Sequence, residues 1–315
     1  MAKADAVLLY VQPGTVYGEA RPTLLGSHAL NVFNVEINPL EADSAEREQA
    51  DSEGGRVTKP HVHNKRASFS FSTYLVGSGV AGTAPAWGVL AQACGATVTT
   101  VTGTSNTYSL VSQNSAMGFC HLLVQIGPER FYCDNARGTC EETYGGGLPT
   151  ARWTFQGLES TPVTETILAP AYASTGLVRA VDAVNTPTFE LGTSLAPVAR
   201  EFSSFTYNWG NELQLRNNGG GSREVMIVTG LPTASVTIRD TGLSDYNNFS
   251  IAGDETEQRL RLVHGPIGSR ISRVIPRCTL AAGTREAVNN EVYQTHALNI
   301  MHDFNVRNYS TLICS

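Results

Sequence analysis

The sequence predicts a mainly β protein built as two related halves, each with antiparallel strands and one short helix. Three observations carry this. Apolar and polar residues alternate with a period of two through much of the chain, the mark of antiparallel strands with one face on a core. Only two short segments have helical spacing. The second half also repeats the order of the first: strand, polar loop, strand, glycine-stopped helix, strands.

Along the chain, ASFSFSTYL at 67–75 puts Phe69, Phe71 and Leu75 on one face and Ser68, Ser70 and Ser72 on the other. TAPAWGVLAQACG follows and reads as a helix over Ala84–Cys94, with Thr83 as cap and Pro85 in its first turn. Trp87, Leu90 and Cys94 lie on one stripe with Ala91 and should pack the helix on its own sheet, and Gly95 can end it in the left-handed conformation. ARWTFQGL at 151–158 turns Trp153 and Phe155 inward and Arg152, Thr154 and Gln156 outward. In the second half, ASVTI and QRLRLVHG repeat the alternation through Val236, Ile238, Leu260 and Leu262. LSDYNNFSIAG is a marginal second helix, capped by Ser244 or Asp245 and stopped by Gly253.

Two stretches lack periodicity and read as long loops, 39–66 and the proline-bearing 160–187. The second reads as a linker, which divides the chain into an N-terminal domain at 1–165, a linker at 166–187 and a C-terminal domain at 188–315. The halves echo most closely at LLVQIGPERF and LRLVHGPIGSRI. Gly127-Pro128 recurs as Gly265-Pro266 at an offset of 138 (265 − 127), and Cys140 and Cys278 share that offset.

Composition narrows the function. The 315 residues carry only 16% charged side chains, and a surface poor in charge suits subunit contacts. A net charge of −6 opposes a protein that grips nucleic acid, which needs a basic footprint. No apolar run reaches the roughly 18–20 residues of a membrane helix, and the start lacks the pattern of a secretory signal, so folding in a cytoplasm is expected. The six cysteines show no CxxC spacing and read as buried reduced thiols.

Catalytic and cofactor signals are weak. Gly77-Ser78-Gly79-Val80-Ala81-Gly82 fits a dinucleotide-binding G-x-G-x-x-G. The strand before it alternates, though, and no Asp or Glu lies between Glu53 and Glu129 to hold a ribose, so it reads as a flexible strand-to-helix turn. His61 and His63 would share a strand face but have no evident third metal ligand. No enzymatic activity, cofactor or metal is expected. The 39–66 segment is the better candidate. Its first arm carries Glu41, Asp43, Glu46, Glu48, Asp51 and Glu53 with Arg47, and its second arm carries Arg56, Lys59, Lys65 and Arg66. It reads either as a hairpin whose arms pair internally or as a bipolar arm that docks on a neighbouring copy.

The blocks NVEINPLEA, GSGVAGTAPAWGVLAQACGA, ARGTCEETYGGGLPTARWTFQGL, TPTFELG, GNELQLRN and LRLVHGPIGSRI resemble the two-domain tail tube proteins of long-tailed, non-contractile bacteriophages. The similarity spans most of residues 17–304, and AGTAPAWG is its most specific part. The end, NVRNYSTLICS, departs from the pattern. The resemblance implies two tandem tail-tube-like β-sandwich or partial-barrel domains, each flanked by a helix. It implies a virion protein assembled in the host cytoplasm, whose homotrimeric, pseudo-hexameric rings stack into a tube. Tape measure, tail terminator and tail tip proteins would be its partners, and genome DNA would pass through a neutral or negative lumen without specific binding. The 39–66 segment would then reach the adjacent ring. Another ring-forming tail protein, a terminator or baseplate hub component, is the alternative.

Overall fold

The structure, a computed structural model, describes residues 7–50, 56–110, 117–193, 197–218, 223–281, 283–288, 291–302 and 309–315. It is mainly β, with 57% strand and 6% helix. The first half contains β1 (Val7–Pro13), β2 (Ala29–Leu30), β3 (Phe33–Ala50), β4 (Arg56–Tyr74), helix α1 (Gly88–Ala93), β5 (Ala96–Val101), β6 (Ser105–Leu110), β7 (Cys120–Ile126), β8 (Glu129–Gly145), β9 (Thr150–Glu159) and β10 (Val163–Thr164). The second half contains β11 (Thr188–Gly192), β12 (Phe202–Asn208), β13 (Asn211–Asn217), β14 (Arg223–Gly230), β15 (Thr233–Arg239), helix α2 (Asn248–Gly253), β16 (Gln258–His264), β17 (Ile271–Leu280), β18 (Thr284–Val288), β19 (Glu291–Ile300) and β20 (Thr311–Cys314).

The two halves share one pairing path. In the first, antiparallel neighbours run β1, β7, β8, β9, β4, β3. In the second they run β11, β16, β17, β19, β15, β12. A bulge even recurs at the same place. Cys120 and Leu122 face Ala136 and Cys133, and Gln258 and Leu260 face Cys278 and Ile275, with one extra residue on the returning strand each time. Gly127 and Gly265, both at positive φ, open the two turns that the Gly-Pro echo marked.

The cysteine echo does not survive. Cys278 faces Gln258 as Ala136 faces Cys120, so the structural match of Cys278 is Ala136, not Cys140. The first turn joins Ile126 to Glu129, whereas the second joins His264 to Ile271, and those added residues shift everything after them.

The described parts of segment 39–66 are strand rather than loop: 39–50 and 56–66 form the outer part of the β3–β4 pair, whose register runs out to Ala50 opposite Arg56. Its described side chains at 42–45, 61 and 62 are exposed, and strand residues without a buried face need no apolar alternation. The first helix is shorter than expected. It begins at Gly88, because the Gly88 N–H bonds the Pro85 carbonyl and the Thr83 N–H bonds that of Val80, so 80–88 forms turns and Thr83 caps nothing. Gly95, at φ +85°, does end it. The second helix is capped by Asn247, whose side chain accepts from the Ser250 N–H, rather than by Ser244 or Asp245.

One apolar core runs through both halves, and within it the Trp153 ring lies 6.3 Å from that of Trp87 and 6.1 Å from that of Trp209 by centroids. The 160–187 stretch is strapped along the surface by its backbone. Glu165 bonds Pro128, Ala171 bonds Gly26, Gly176 bonds Gly77, and Val181 bonds Gly147.

Candidate assembly interface

The best-built joint in the molecule lies between its halves. The outer edge of β12 pairs with the end of β8, from Ser204 opposite Gly145 to Asn208 opposite Glu141. The chain end strengthens this joint: β20 pairs with β17 on one side and β6 on the other. Behind these strands sits a buried polar network. Arg273 on β17 holds Glu142 on β8 by two contacts, and both side chains are fully buried. Trp209 Nε1 donates to Glu142 at 2.8 Å, the Tyr144 hydroxyl donates to it at 3.1 Å, and Ser310 bonds both Tyr207 and Arg273. Burial pushes the Arg273 guanidinium down to about 9, which leaves it cationic at neutral pH.

The glycines of 77–82 belong to the same joint. The Gly77 N–H bonds Ser269 and the Gly79 N–H bonds Gly268, so this run lies directly against the turn between β16 and β17. A Cβ on Gly77 would come within 2.6 Å of the Gly268 carbonyl, and one on Gly268 within 2.8 Å of the Gly79 carbonyl. Close backbone approach is what the glycines provide here.

A second contact comes from the β13–β14 hairpin, which lies across β8 and β9 of the first half. Val225 and Ile227, on β14 itself, are buried. Asn211 Nδ2 donates to the carbonyls of Cys94 and Gly138 at 2.7 and 2.9 Å. Arg137 pairs with Glu224 at 2.9 Å, and Arg223 pairs with Glu159 at 2.6 Å.

In the β3–β4 arm, the site expected from sequence, the described side chains at 42–45, 61 and 62 are exposed. Glu41 and Asp43 both pair with Arg66, at 3.0 and 3.3 Å, so at the base the acidic and basic arms meet each other. Asn64 adds a hydrogen bond to Asp43, which with Arg66 holds that carboxyl below its usual range. Lys65 is exposed, and its carbonyl accepts from Arg223. Further out, Arg47 stands opposite Lys59, Glu46 opposite Pro60 and Glu48 opposite Thr58, and Arg56 closes the register opposite Ala50. Asp51 and Glu53 lie outside the described residues. Leu40 and Val62 are exposed on this arm, at 56% and 47%.

The helix residues sit inside. Trp87 is 3% exposed, Leu90 and Cys94 are fully buried, and Trp87 Nε1 donates to the Val76 carbonyl at 2.9 Å. All six thiols are free and buried, and burial pushes those of Cys94, Cys133 and Cys140 well above their ordinary value, against a nucleophilic role. His61 is exposed and His63 faces Asp43, and no group of three or more metal-ligating side chains occurs among the described residues. No described helix is long and apolar enough to cross a membrane. The network around Glu142 and Arg273 was missed in the sequence, where a glutamate and an arginine 131 residues apart carry no local signal.

The chain matches no family model and no curated protein.

Proposed function

We propose that this protein is a tail tube subunit of a long-tailed, non-contractile bacteriophage, a structural virion protein whose rings stack around the channel for DNA ejection. The observation that supports it most is the internal repeat. Two halves with one pairing path are joined edge to edge by β8 and β12, which is how a ring subunit that has doubled within one chain would be built. The sequence blocks that resemble tail tube proteins point the same way. In this reading three chains supply six halves, giving threefold and pseudo-sixfold rings. Neighbours in the virion are the tape measure, terminator and tip proteins, and the channel wall is neutral or negative so that DNA passes freely.

Electron microscopy of the purified full-length protein tests this. Long hollow filaments with threefold symmetry are expected. Isolated rings that never stack would favour a terminator or hub component, and six chains per ring would exclude the trimer.

The tip of the β3–β4 arm is proposed to reach the next ring. Deleting residues 44–58 should leave a soluble, folded subunit that no longer forms tubes, read by sedimentation and microscopy. Normal tubes from this deletion would refute the role. Exposed ion pairs contribute only ~0–1 kcal/mol each, so the arm would set register mainly through repetition around a ring.

A further inference from the structure

We propose that the joint between the two halves of one chain is repeated between chains, with the β3 edge of one copy adding antiparallel to the β18 edge of the next. The inference rests on the ring reading above and names the surfaces that would close the ring.

The argument is one of equivalence. Ile37 on β3 faces buried Phe69, and Tyr207 on β12 faces buried Ala234. β4 and β15, which carry those partners, hold the same place in the two pairing paths, so β3 around Val35–Asn38 stands where β12 has Phe205–Asn208. Each strand also starts with a bulge, between Phe33 and Glu36 in one and between Phe202 and Ser204 in the other. Likewise β18 pairs with the start of β19, as the end of β8 pairs with the start of β9. Within the chain, β12 is joined to the end of β8. The equivalent edges, β3 and β18, have no strand on their outer sides among the described residues. Asn34, Glu36 and Asn38 are exposed, as are Thr284, Arg285, Glu286 and Ala287. An open strand edge offers unpaired N–H and C=O groups that seek a partner strand.

The arms supply a second, independent observation. Setting Phe69 and Phe71 of β4 against Ala234 and Val236 of β15 places Val62 at the position of Ile227. Ile227 is 2% exposed because its hairpin lies across the other half, whereas Val62 is 47% exposed. The surface missing from Val62 is one that a second copy would provide, since its second half has the same architecture as the first half under Ile227. One edge belongs to the first half and its complement to the second, so the contact is heterologous, and it propagates head to tail until it closes.

Blocking each edge separately tests this. Successive residues of an antiparallel strand direct their N–H groups to opposite edges, and proline is tolerated where the N–H faces away from the partner strand. Of Val35→Pro and Glu36→Pro, the variant that keeps the wild-type Tm is the β3-blocked chain. Arg285→Pro and Glu286→Pro yield the β18-blocked chain in the same way. Each blocked chain alone should remain monomeric by light scattering. Mixed in equal amounts they should form a dimer but no ring, because each supplies one intact edge. Val62→Asp, at an exposed position that leaves both edges intact, should raise the concentration needed for assembly by about tenfold. Rings from either blocked chain, a mixture that stays monomeric while wild type assembles, or unchanged assembly of Val62→Asp would overturn the proposal with the ring reading intact. A wild-type chain that stays monomeric would overturn both.

Discussion

Glu142→Ala is expected to destabilise the protein by about 3–5 kcal/mol, because it strands the fully buried Arg273 cation without its carboxylate. Trp209 Nε1 and the Tyr144 hydroxyl lose their acceptor in the same change. The loss should appear as a lower urea midpoint at neutral pH with a similar slope. The paired change Glu142→Leu with Arg273→Met behaves differently. It removes both charges together, so no ion is left unpaired, and it should fold with a stability much nearer wild type than either single variant. A double variant no better than Glu142→Ala would show that the neutral hydrogen bonds, not the ion pair, hold this joint.

Trp87→Ala is the second large effect, at about 3–5 kcal/mol. The indole lies between α1 and the sheet, 5.3 Å from the Tyr108 ring centroid and 6.3 Å from that of Trp153, and it is 3% exposed. Its removal opens a cavity in the shared core and leaves the Val76 carbonyl without its donor. Trp87→Phe should cost less, since it keeps most of the packing and loses only that hydrogen bond. Thermal or urea unfolding of the two variants separates the contributions. A small effect of Trp87→Ala would mean that the neighbouring side chains collapse into the space.

How much of this was legible depends on the range of each signal. The strands around Phe69, Trp153, Val236 and Leu260 were readable because a period of two is written within a few residues and these strands each turn one face to the core. The β3–β4 arm hid from the same test because its described side chains at 42–45, 61 and 62 are exposed and give no apolar face to read. Three register shifts also interrupt the β3–β4 pairing, and two of them place an asparagine at positive φ, Asn34 and Asn64. Asparagine tolerates that conformation better than most residues, so an asparagine within a polar strand was the available clue. The charges of the arm were visible as a cluster, but their pairing of Arg66 with both Glu41 and Asp43 depended on a register set by one of those shifts.

Sequence alone determined the β class, the apolar stripe of the first helix and the matching Gly-Pro turns, because each follows from residues adjacent along the chain. Only the tertiary structure decided that the halves are one sheet system rather than two beads. The β8–β12 pairing, the β20 strand laid between the halves and the Glu142–Arg273 pair join residues far apart in sequence. Such contacts leave no local period to read. They form because backbone edges and buried charges must find partners wherever the folded chain brings them together.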